Sequence, residues 1–194
     1  MSLPNHTLLL RWSEKFARAA GGTAIESTPS RSGVGSELRA AIEARYPATT
    51  AASDSLGALW ASALRGHPLP QQFSTTAGWL VPHLQVEGIE TWQESELIGL
   101  HALSWIALGT PSLLPRLRSA ALQCVAELQP DNVTGRPWGC HVFAWISVTD
   151  SDADASLYAQ TLVHNALVAR TEPEPLSAII LSDAAGWLTS LAGR

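Results

Sequence analysis

Residues 94–109 read ESELIGLHALSWIALG, with Leu97, Ile98, Leu100, Leu103, Trp105, Ile106 and Leu108 distributed around every side of a helical projection. A helix that is apolar all round belongs inside a protein rather than on its surface. Gly109-Thr110-Pro111 ends it, because the residue before a proline avoids the α region. This stretch therefore predicts a central, buried helix. The rest of the chain must then supply helices to cover it.

Working outward, the spacing predicts helices over most of residues 94–194. Ser112 is placed to cap a helix over 113–128, with Leu113, Leu114, Leu117, Ala121, Cys124, Val125 and Leu128 on one stripe. Arg116, Arg118, Gln123 and Glu127 are expected to face water. Pro137 suits the first position of the next helix, which runs through Trp138, Val142, Phe143, Trp145 and Ile146 and is again apolar all round. The β-branched and aromatic content of 141–149 also suits a strand; periodicity alone does not separate the two. Helical neighbours favour helix. Asp150, Asp152 and Asp154 supply a loop and a cap for a helix over 155–170. A Pro-Glu-Pro turn then leads into a last helix over 176–191.

Upstream, residues 5–20 form an amphipathic helix, with Leu8, Leu9, Trp12, Phe16 and Ala19 inward and Arg11, Glu14, Lys15 and Arg18 outward. Residues 23–35 read as a linker, and Gly33-Val34-Gly35-Ser36 lacks the further elements of a phosphate-binding loop. Helices follow over 36–46 and from Ser53 or Asp54 to Gly66. Residues 69–93 carry no lasting period; one short helix is expected near 74–81. The fold class is all-α: a two-layer arrangement of helical hairpins (α/α toroid-like) or an irregular helical bundle. The chain reads as a single domain over 1–194, with 1–68 as a candidate N-terminal subdomain and 69–93 as its irregular connection.

Composition narrows the function. Apolar residues make up 46% of the 194 and charged residues only 15%, and the net charge is −5. The arginines are scattered, so no positive stripe exists to neutralise phosphates, and nucleic acid is not an expected partner. No run of about 20 apolar residues marks a membrane span, and Leu8-Leu9-Leu10 is too short for a signal segment. The expected location is cytoplasmic. Cys124 and Cys140 lack metal-site spacing and read as buried free thiols.

The candidate chemistry lies in three histidines, each on an apolar helical face: His101, His141 and His164. Asp183 shares a face with Ile179 and Trp187. A carboxylate there needs a partner, which Arg136 or a histidine would provide. These four are the candidate catalytic groups, for acid–base work. Trp105, Trp138, Trp145, Tyr158 and Asn165 are the candidate walls of a cleft for a sugar or another polar ligand. No HxH or HExxH spacing links the histidines, so no metal and no cofactor is assigned. Glu94 and Glu96 suit the positive end of the central helix. Two functions follow. The first is a helical binding or scaffold domain, joined to a partner protein or to copies of itself, which low charge and abundant apolar residues favour. The second is an enzyme with a His- and aromatic-lined cleft.

Overall fold

Why the apolar helices end up inside is plain in the computed structural model, which describes residues 6–21, 33–45, 55–74, 78–81, 89–130, 135–168 and 174–194. Among these are eight α-helices and no strand: α1 (His6–Ala19), α2 (Ser36–Arg45), α3 (Ser55–Arg65), α4 (Ile89–Gly109), α5 (Leu114–Glu127), α6 (Cys140–Thr149), α7 (Ala153–Val168) and α8 (Pro175–Ala192). The protein is an all-α helical bundle. The central helix starts earlier than its apolar pattern suggests, and residues 141–149 are helical as expected.

α4 packs against α3, α5 and α6; α6 packs in addition against α1, α7 and α8. α8 is covered by α1, α2 and α6. By length and composition α8 could cross a membrane, yet here its Ile180, Leu181, Ala184, Ala185, Trp187 and Leu188 are core residues. One contiguous core joins Leu9 and Phe16 of α1, Leu38 and Ile42 of α2 and Leu59 and Trp60 of α3 to the later helices. Polar ties run the same way. The Ser13 hydroxyl donates to the Ala185 carbonyl at 2.9 Å, and the Arg39 guanidinium donates to the Leu64 carbonyl at 2.8 Å.

Several local expectations are corrected. α1 turns Leu9, Ser13, Phe16 and Ala17 inward, leaving Trp12 half-buried and Leu8 on the surface. Ser112 caps nothing: a 3₁₀ turn over Pro111–Leu113 leads into α5. Pro137 does not start α6. Gly139 does, as an N-cap with φ of 69°. The cap of α3 and the end of the expected 155–170 helix fall outside the described residues. Asp152 is the cap of α7, its carboxylate accepting the Ala155 N–H at 2.9 Å.

The helix expected over 74–81 is not formed at Ser74 or at 78–81; a 3₁₀ turn stands at Gln71–Phe73 instead. The reason is Glu96. Its two carboxylate oxygens accept the Leu80 and Val81 N–H groups, both at 2.8 Å, taking donors a helix would spend on its own carbonyls. The Trp92 indole donates to the Val81 carbonyl at 2.8 Å. Arg116 is not outward. It is buried, donates to the Gly78 carbonyl at 2.8 Å and supports the charge of Glu96. Burial nevertheless dominates: it pushes the Glu96 carboxyl up to about 7, against the pull of the two N–H donors and of Arg116.

That shift has a definite sign. A carboxyl whose folded pKa lies above its unfolded value binds its proton more tightly in the folded chain. Stability from this group therefore grows as the pH falls from about 7 toward the ordinary carboxyl range. Urea titrations from pH 8 to pH 5 should show the wild type gaining on Glu96→Gln, at up to about 1.4 kcal/mol per pH unit. A difference that is flat or of opposite slope would mean that Glu96 is ionised throughout.

Candidate functional site

α4 places His101, Ser104 and Trp105 on one face, three and four residues apart. α8 answers with Asp183 and Trp187, four apart. α6 adds His141, and Gly35 and Gly139 arrive just before α2 and α6. All these side chains are buried.

Asp183 is the hub. Its Oδ2 accepts the Trp105 indole N–H at 2.7 Å and is 3.0 Å from His101 Nε2. Its Oδ1 accepts the Gly35 N–H at 2.6 Å. The Gly139 N–H points at His101 Nδ1, 3.4 Å away, which makes that nitrogen the acceptor and assigns the proton to Nε2, facing Asp183. A second chain starts at Ser104. Its hydroxyl donates to the His101 carbonyl at 2.7 Å and lies 2.7 Å from His141 Nε2. The hydroxyl has one proton, so His141 donates from Nε2. His141 Nδ1 is left with no hydrogen-bond partner. The Trp187 indole donates to the Ser104 carbonyl at 2.9 Å.

Burial, and then the neighbouring His101, holds the His141 pKa well below its ordinary value, so this ring stays neutral. The His101 and His141 rings meet at 4.5 Å between centroids, and Trp60 and Trp138 close over His101. The histidine bonded to the carboxylate is His101, and the histidine bonded to the serine is His141. Asp, His and Ser thus do not form one relay, which needs a single imidazole between acid and hydroxyl.

Of the candidate catalytic residues the structure brings together His101, His141 and Asp183. His164 it places elsewhere, exposed on α7. The partner of Asp183 is a histidine; Arg136 instead meets Glu174 at 3.1 Å and Glu94 at 3.6 Å. Among the candidate ligand-binding residues, Trp105, Trp138, Trp145 and Tyr158 are core side chains. Asn165 is half-buried and donates to the Pro130 carbonyl at 3.2 Å. Phe143 stacks on Tyr158 at 4.3 Å, so Tyr158 faces packing rather than a cleft. Cys124 and Cys140 are buried free thiols. No group of His, Cys, Asp or Glu among the described residues is arranged to hold a metal ion.

Ser104 and Gly139 escaped the sequence reading, whereas Glu94 and Glu96, expected at the start of the central helix, lie within α4, and Arg116, expected to face water, is buried. Ser104 carried a signal, a small hydroxyl one turn from a histidine on a buried helix. Arg116 and Glu96 carried none, since their partners are 38 and 15–16 residues away. No family model, no curated protein and no solved structure matches this chain.

Two substitutions probe the hub. Asp183→Asn replaces an acceptor of three donors by a group with one acceptor oxygen and two N–H donors. It should cost about 3 kcal/mol in urea denaturation, clearly more than Trp105→Phe; equal losses would show that the carboxylate is not the hub. Gly139 holds a left-handed φ of 69°, and a Cβ there would stand 3.3 Å from the Leu97 carbonyl oxygen. Gly139→Ala should cost about 2 kcal/mol, and a neutral result would show that α6 starts differently.

Proposed function

We propose that this chain is a helical binding domain whose buried histidine–aspartate network holds the helices in place and whose function is carried out on its surface. The observation behind this reading is burial: His101 and His141 are 0% exposed and Asp183 is 2% exposed. A general acid or base must reach the proton it moves, within hydrogen-bond distance or through one water. Rings enclosed by Trp60, Trp138 and Trp187 do not meet that condition. Both nitrogens of His101 and both oxygens of Asp183 are paired, as a structural network requires; His141 is tied through Nε2 alone.

The alternative, an enzyme acting on a sugar or similar polar ligand, draws support from one feature. Asp183 lies at the edge of a polar hollow of about 180 Å³, with Gly35, Ser36 and Ser182. That hollow falls short of the roughly 300 Å³ of small-molecule sites. Of the side chains in the buried network only Asp183 lines it, and its carboxylate already accepts from three donors.

Diethyl pyrocarbonate separates the two readings without a substrate. In the native chain it should modify the exposed His6, His67 and His164 and spare His101 and His141 until the protein is unfolded. Modification of His141 as fast as His164 would mean that the network opens to solvent, and the enzyme reading would replace this one.

A further inference from the structure

Away from the buried network, a trough runs between α1 and α7. It consists of two open hollows of about 500 Å³ each, which share Lys15 and Gln160 as walls. The first begins beside Leu8, Arg11 and Trp12 and reaches the start of α7 at Ala153; the second ends beside His164 and Leu167. From Ala153 to Leu167 the α7 wall is about 20 Å long at 1.5 Å per residue, or four helical turns.

Three independent features meet here. First, Arg11 and Lys15 sit four residues apart on α1, and neither has a carboxylate partner among the described residues. Lys15 Nζ lies over the Trp12 ring at 4.7 Å. On a chain with a net charge of −5 this is a local reversal of sign. Among the lining residues Asp152 is the one carboxylate against the two cations Arg11 and Lys15, so the lining is net positive. Second, the large apolar side chains that the described surface exposes are Leu8 at 38%, Leu157 at 62% and Val168 at 65%. Leu8 lines the trough together with the partly buried Trp12, Val148 and Leu167, while Leu157 and Val168 stand on α7 outside the lining. Third, an open trough of this length fits a helix laid along it better than a small molecule enclosed on all sides.

Resting on the binding-domain reading, we infer that the α1–α7 trough docks an acidic amphipathic helix of a partner protein. Carboxylates four residues apart on that helix would meet Arg11 and Lys15. Its leucine- or isoleucine-type face would cover Leu8, Val148 and Leu167. Trp12 offers an aromatic anchor of the kind that concentrates binding energy. The charges set the choice of partner and the rate of encounter, and the apolar contacts hold it.

The test uses two fluorescein-labelled synthetic helical peptides with the same length and leucine pattern, one carrying glutamates on its flanks and the other lysines. In anisotropy titrations of the full chain, the acidic peptide should bind at least about tenfold more tightly, and less tightly as salt rises. The Arg11→Glu/Lys15→Glu double variant should reverse that preference. The neutral Arg11→Gln/Lys15→Gln variant, checked for fold by circular dichroism, should weaken the acidic peptide without recruiting the basic one. Lys15 is the one lysine in the chain, so its acetylation, read by mass spectrometry, should slow when the acidic peptide is bound. Equal binding of both peptides, no binding, or indifference to the charge changes overturns the inference. So does a chain that self-associates through this face, or inorganic phosphate alone protecting Lys15 at concentrations where the peptide does not. With His101 and His141 still protected from pyrocarbonate, such a failure removes the trough and leaves the binding-domain reading; labelling of those rings removes the reading itself.

Discussion

A single carboxylate, that of Asp183, connects four elements whose order in the chain gives no hint of their meeting. It receives N–H donors from Gly35 ahead of α2 and from Trp105 and His101 on α4, while it stands on α8 itself. Through His101 it also reaches Gly139, where α6 begins. Buried carboxylates are costly unless their hydrogen-bonding capacity is filled. This constraint fixes how α4 and α8 face each other: a rotation of either helix would leave a buried donor or acceptor unpaired, at about 1–3 kcal/mol apiece. Apolar packing tolerates such shifts more readily, because it is non-directional.

Glu96 and Arg116 repeat the logic at the other side of α4. There the carboxylate organises an irregular segment rather than a helix pair, holding the backbone at Leu80 and Val81. The two devices differ in their response to acid. Glu96 is pushed up by burial, so protonation relieves it. His141 is pushed down by burial, and the unfolded chain takes up its proton first. Acidification below the ordinary histidine range thus gains stability from one and loses it from the other.

Inside and outside of the molecule use their polar groups differently. On α4, α6 and α8, His101, Trp105, His141, Trp145 and Trp187 engage one another and Asp183. α1 and α7, the cover helices, keep cations and apolar side chains in contact with solvent. Charge is scarce in this chain, so where it collects unpaired matters more than in an ordinary surface, where it would be solvated background.

The sequence by itself determined that the chain is helical and which helices lie innermost. The all-apolar runs at Leu97–Leu108 and Val142–Ile146 have no other place to go, and turn residues such as Gly109-Thr110-Pro111 and Asp152 mark their limits locally. It also showed that Asp183 needed a partner, because the cost of a carboxylate on an apolar face is a local property. Only the tertiary structure decided which partner, and that His101 and His141 meet while His164 turns to water. Helical periodicity specifies which residues share a face but not which face of another helix lies opposite. The same limit hid Arg116, whose position on a wet-looking stripe is overruled by a carbonyl and a carboxylate brought from elsewhere in the chain.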